Sequence, residues 1–62
     1  MRMEYEIRSG RRAVGIRYAS TPQEALVEYL RSIGCRDDEI VRMGVSAISW
    51  RGAVFSAVSA VD

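Results

Sequence analysis

The sequence predicts an α+β domain of ββαββ order, with one amphipathic helix packed across a four-stranded, mainly antiparallel sheet. Three observations predict it. Residues 2–8 alternate between charged and apolar, residues 13–18 alternate again, and an apolar stripe at helical spacing follows a helix-start signal at Thr21-Pro22. A period of two marks a half-buried strand, and a period near 3.6 marks a helix lying on a core.

In the first strand Met3, Tyr5 and Ile7 share one side, and Arg2, Glu4, Glu6 and Arg8 the other. The second strand places Val14, Ile16 and Tyr18 on one side. A two-residue loop at Gly10-Arg11 would pair Ile7 with Val14, Tyr5 with Ile16 and Met3 with Tyr18, apolar against apolar throughout. On the other face Glu4 meets Arg17 and Arg8 meets Ala13. Glycine at the first loop position suits a II′ turn. A slip of one residue would turn one strand's apolar set outward.

The helix follows. Thr21 with Glu24 three residues on reads as a capping box, and Pro22 takes a first-turn position where its missing N–H costs nothing. Leu26, Tyr29, Leu30 and Ile33 form the expected buried stripe, and Gly34 ends the helix. Asp37 is expected to cap a short helical turn over 37–43, closed by Gly44; the alternative is a strand from Glu39 onward. The tail from Val45 to Val61 is dense in Val, Ala and Ser, and Arg51-Gly52 interrupts it. It reads as a second hairpin over 45–50 and 53–60. A two-residue loop pairs Ile48 with Phe55 and Trp50 with Ala53; a three-residue loop with a bulge pairs Ile48 with Val54. The expected core is Tyr5, Ile7, Val14, Ile16, Leu26, Leu30, Ile33, Ile48 and Phe55.

Sixty-two residues, 48% of them hydrophobic and 27% charged, describe one small globular domain, 1–62, without a linker. No apolar run is long enough for a membrane span, and the N-terminal residues lack the apolar stretch of a signal peptide. A single cysteine favours a reducing cytoplasm over secretion. All nine basic residues are arginine, and histidine is absent. The guanidinium suits phosphate recognition, but a GC-rich, bacterial coding sequence produces the same bias, and a net charge of +1 gives nucleic acid little long-range pull.

Catalytic chemistry finds little purchase. Without histidine there is no Ser–His or Cys–His pair, so Cys35 and the serines Ser46, Ser49, Ser56 and Ser59 read as small strand or cap residues. Asp37-Asp38-Glu39 reads as charge at a helix N-terminus, because three adjacent carboxylates do not by themselves converge on a cation. No catalytic residue, metal site or cofactor is expected.

The second hairpin carries the functional hint. One of its faces holds Ile48, Trp50, Phe55 and Ala57; the other holds Val45, Ala47, Val54 and Val58, broken by Ser49 and Ser56. Residues 53–61 carry no charge. One helix covers one face, so the other face calls for a partner, most simply a second copy. The expectation is a non-enzymatic protein-interaction domain that forms a homodimer through Val45, Ala47, Trp50, Val54 and Val58. The alternative is a nucleic-acid-binding accessory protein using Arg8, Arg11, Arg12, Arg17, Trp50 and Arg51.

Overall fold

Alternation and a glycine-started turn fold β1 (Met3–Ser9) and β2 (Arg12–Ala19) into an antiparallel hairpin in the computed structural model, which describes residues 2–60. Gly10 takes φ +65° and Arg11 stays out of the left-handed region, as a II′ turn requires. Arg8 faces Ala13 as expected, but the register then shifts. Ile7 faces Gly15, Glu6 faces Ile16, Tyr5 faces Arg17, Glu4 faces Tyr18 and Met3 faces Ala19. Val14 is the extra residue of a β-bulge, so the expected pairs of Ile7 with Val14, Tyr5 with Ile16 and Met3 with Tyr18 do not form.

The bulge reverses the faces of the rest of β2. Val14 is half-buried against the core, whereas Ile16 and Tyr18 are 49% and 57% exposed on the side away from the helix. Packing explains the choice. A Cβ on Gly15 would sit 3.1 Å from Cε1 of Tyr29, closer than ordinary contact allows. The bulge therefore brings the one residue without a side chain beneath the Tyr29 ring. Gly15→Val is expected to destabilise the fold by about 1–3 kcal/mol through overpacking, measured as a lowered urea midpoint.

Helix α1 (Pro22–Ser32) starts at Thr21, whose Oγ1 accepts the Glu24 N–H at 3.1 Å. The Glu24 carboxylate makes no reciprocal bond among the described residues, so the cap is a single N-cap contact and not the expected box. The other end is a Schellman motif. The Cys35 N–H donates to the Leu30 carbonyl and the Gly34 N–H to the Arg31 carbonyl, with Gly34 at φ +101°. That motif places Cys35 beside Leu30, and both are buried. Ile33 lies past the last helical residue and is 44% exposed, outside the core expected for it.

After the helix, residues 37–43 divide differently from the expected single turn. A 3-10 turn (Asp37–Glu39) is followed by a strand, β3 (Val41–Gly44), paired with β4 (Ala47–Trp50). Asp37 opens that turn rather than capping it, since Arg36 holds the cap position. The second hairpin, β4 and β5 (Ala53–Ser59), takes the two-residue loop: Ile48 faces Phe55 and Trp50 faces Ala53. Arg51 and Gly52 both have positive φ, the I′ arrangement.

The sheet thus has five strands, not four, in the order β2-β1-β5-β4-β3, with every neighbouring pair antiparallel. β5 lies in the middle, between β1 and β4. A central strand has both its edges paired and one face under the helix, which favours the uncharged composition of 53–59. The expected uncharged stretch runs on to Val61, which lies outside the described residues. The helix crosses one face of the sheet and packs on β2, β1, β5 and β4. Between them lie Tyr5, Ile7, Ala19, Ala25, Leu26, Leu30, Cys35, Ile48, Phe55 and Ala57, all buried. Ile7, Leu26, Leu30 and Ile48 are fully enclosed, each contributing about 1.5–3 kcal/mol by burial. No helix among the described residues is long and apolar enough to cross a membrane.

Candidate functional site

Strand alternation and the register assign every sheet residue to one of two faces. The helix covers the face of Tyr5, Ile7, Gly15, Arg17, Ile48, Trp50, Phe55 and Ala57. The opposite face has no layer over it among the described residues. It presents Ile16, Tyr18, Val41, Ala47, Val54 and Val58, with Glu4, Glu6, Arg8, Ser49 and Ser56 between them. Val41, Val54 and Val58 are 59%, 45% and 41% exposed.

The charges on this open face are partly satisfied from within. Arg8 Nε donates to Glu6 at 2.6 Å, and the Tyr18 hydroxyl donates to Glu4 at 3.1 Å. The Glu4 contact holds the Tyr18 phenol above its ordinary pKa, first through that hydrogen bond and then through its charge. The Arg8–Glu6 pair is neutral as a unit, whereas Glu4 keeps its charge and belongs at the wet rim of any contact on this face.

The residues expected to form the interaction surface fall in three places. Ala47, Val54 and Val58 share the open face. Val45 lies in the turn between β3 and β4 and is 83% exposed. Trp50 is on the covered face, half-buried beside Phe55 at 6.5 Å between ring centroids. Ile16 and Tyr18 join the open face through the bulge, which plain alternation does not reveal. The glycine inside β2 is the signal that pointed to it.

The arginines separate as well. Arg8 is on the open face, paired with Glu6. Arg17 lies on the helix side, its guanidinium 5.3 Å from the Tyr29 ring centroid and its Nη2 donating to Ser32 Oγ at 3.1 Å. Arg51 stacks over Trp50 at 5.0 Å and lies 3.6 Å from Glu39. The Gly10 N–H donates to the Val54 carbonyl, so both hairpin turns stand at one end of the sheet and gather Arg11, Arg12 and Arg51 there. Of these, Arg11 and Arg12 are exposed, and their side chains make no ion pair or hydrogen bond among the described residues.

The three connector carboxylates turn to three different arginines. Asp37 takes a two-bond contact from Arg31, both at 2.9 Å; Asp38 lies 3.6 Å from Arg36; Glu39 faces Arg51 and accepts the Arg36 N–H at 3.1 Å. Among the described residues no group of three or more His, Cys, Asp or Glu side chains converges as metal ligands. The Arg31 hydrogen bond holds Asp37 below the ordinary carboxylate range. The Arg36 N–H does the same for Glu39, helped by the Trp50 indole and by Arg51. That indole N–H is buried without a hydrogen bond of full geometry, so it acts on Glu39 as a nearby dipole.

These two acids carry a pH prediction. A carboxyl whose pKa is lower in the folded chain adds stability above its unfolded value, and that stability fades as pH falls through the folded value. The thermal midpoint should therefore drop as pH falls below about 4. Asp37→Asn should flatten that drop, as followed by circular dichroism. Cys35 shows the opposite shift: burial first, then the Glu39 and Asp37 charges, raise its thiol pKa. A thiol so placed is a poor nucleophile at neutral pH.

Set against known proteins, the chain matches no family model, no curated protein and no solved structure.

Proposed function

We propose that this chain is a small non-enzymatic interaction domain that self-associates through the open face of its sheet. One observation carries the reading: a five-stranded sheet has a single helix on one side, and the other side exposes Ile16, Tyr18, Val41, Val54 and Val58. Within the 35–44 connector, the segment expected to cover that side, Asp37–Glu39 forms a 3-10 turn and Val41–Gly44 extends the sheet as β3 instead. Two copies packed face to face would form a helix–sheet–sheet–helix stack, with sheets about 10 Å apart. A two-fold contact of this kind uses the same patch on both copies. This reading modifies the expected surface: Ile16, Tyr18 and Val41 enter it, Trp50 leaves it, and Val45 falls in the turn beside it. A cytoplasmic protein with a single buried thiol fits this role.

Methyl chemical shifts recorded from low to high micromolar concentration test the surface. Signals of Ile16, Val54 and Val58 should move with concentration while those of Ile7, Leu26 and Ile48 stay fixed. Movement confined to other residues would count against this surface.

The nucleic-acid reading keeps one supporting observation, the grouping of Arg11, Arg12 and Arg51 at one end. Arg51 is already engaged with Trp50 and Glu39, which leaves two free guanidiniums. Steep salt dependence of binding to mixed nucleic acid would favour that reading; absence of binding at low salt would remove it.

A further inference from the structure

Among the described residues, all the charges of the open face stand on one strand, β1, in the order Glu4, Glu6, Arg8. β1 lies between β2 and β5, so these side chains run through the face and not along a sheet edge. Glu6 stands between Ile16 and Val58, and Arg8 between Ala13 and Ser56. Glu4 lies nearer one end, beside Tyr18. Arg8 Nε holds Glu6 at 2.6 Å, and both side chains remain partly exposed. One negative and one positive group are thus set about 7 Å apart along the strand, between apolar neighbours.

That pair restricts how a second copy can cover the face. Two-fold packing of aligned sheets offers two arrangements. In the first the axis runs along the strands, and the strands of both copies point the same way. With the axis over β1, Glu6 then lies on Glu6 and Arg8 on Arg8. Displaced toward β5, the same axis sets Glu6 on Val58 and Arg8 on Ser56, so both charges lose water without a new partner. In the second arrangement the axis runs across the strands, and β1 of each copy lies over β1 of the other in the opposite direction. With the axis midway between Glu6 and Arg8, each Glu6 meets the Arg8 of the other copy. Four side chains then close a ring of alternating charge, Glu4 falls outside it at the wet rim, and Val58 settles over Ser56 next to Val54.

Resting on the self-association proposed above, we infer that Glu6 and Arg8 set the orientation of the dimer, as the reciprocal halves of a four-charge ring on its two-fold axis. A buried ion pair adds little net affinity, whereas a mismatched one is costly. The ring therefore selects the antiparallel arrangement, and Ile16, Val54 and Val58 supply the attraction.

The test is sedimentation equilibrium on charge variants of the full chain. Glu6→Arg makes the pair doubly positive, and Arg8→Glu makes it doubly negative. Each variant alone should raise the dissociation constant about tenfold or more. Mixed in equal amounts, the two should associate at least as tightly as the parent chain, because every guanidinium then meets a carboxylate. One chain carrying both substitutions keeps the alternation and should self-associate as the parent does. Recovery in the mixture also shows that the single variants are folded, which a merely unfolded chain cannot imitate. Single variants that associate like the parent, or a mixture no tighter than its components, overturn this orientation while the parent's own association upholds the dimer. A parent chain that stays monomeric overturns both.

Discussion

Ile48→Ala should cost about 2–5 kcal/mol and leave a large fraction of the chain unfolded at room temperature. Ile48 is fully enclosed, opposite Phe55 on β4 and beneath the helix. Removing its outer carbons leaves a cavity whose walls are held by the sheet on one side and by Leu26 and Leu30 on the other. A domain of this size buries only about 60% of its unfolded surface and has little stability in reserve. The loss therefore shows as a shallow or absent thermal transition in circular dichroism. Val54→Ala, on the same hairpin but on the open face, should change the midpoint little, because Val54 is 45% exposed. A comparable loss from both substitutions would show that the two faces are not distinct.

The second large effect concerns assembly. The pair Val54→Lys and Val58→Lys should leave the chain folded and dissociate it. Both positions are solvent-exposed on β5, and Val58 faces Glu6 across the strands, which favours a lysine there in the free chain. In a face-to-face dimer the same lysines are driven into a dry contact with their symmetry mates. Like charges so placed cost several kcal/mol, and about 2.7 kcal/mol already corresponds to a hundredfold rise in the dissociation constant. The far-ultraviolet spectrum reports the fold and gel filtration reports the assembly. A folded double variant that associates as strongly as the parent chain would move the interface away from this face.

The two substitutions separate what was legible in the sequence from what was not. The second hairpin was readable as a hairpin but not down to its register: a two-residue and a three-residue loop both fitted the sequence, and the positive φ of Arg51 and Gly52 with Ile48 facing Phe55 belongs to the two-residue one. The helix was readable from Thr21-Pro22 to Gly34, since caps are local chemistry. The first hairpin misled because 13–18 alternates so regularly. Local periodicity has no knowledge of Tyr29, and the close approach of its ring to Gly15 arises between segments far apart in the chain. β3 was obscured because its four residues include Arg42 in place of an apolar inward residue. Strand order had no local signature at all: β5 enters between β1 and β4 through long-range pairing of Ile7 with Ala57 and Glu6 with Val58. For the candidate site, Ala47, Val54 and Val58 were visible as a second apolar face. Ile16 and Tyr18 were hidden by the bulge, and Val41 by the misread connector.

Sedimentation equilibrium on the unmodified chain, from low to high micromolar concentration, tests the central claim most directly. Self-association through the open face predicts a concentration-dependent rise toward twice the 6.9 kDa chain mass. A single species at 6.9 kDa across the whole range, with the chain folded, contradicts it.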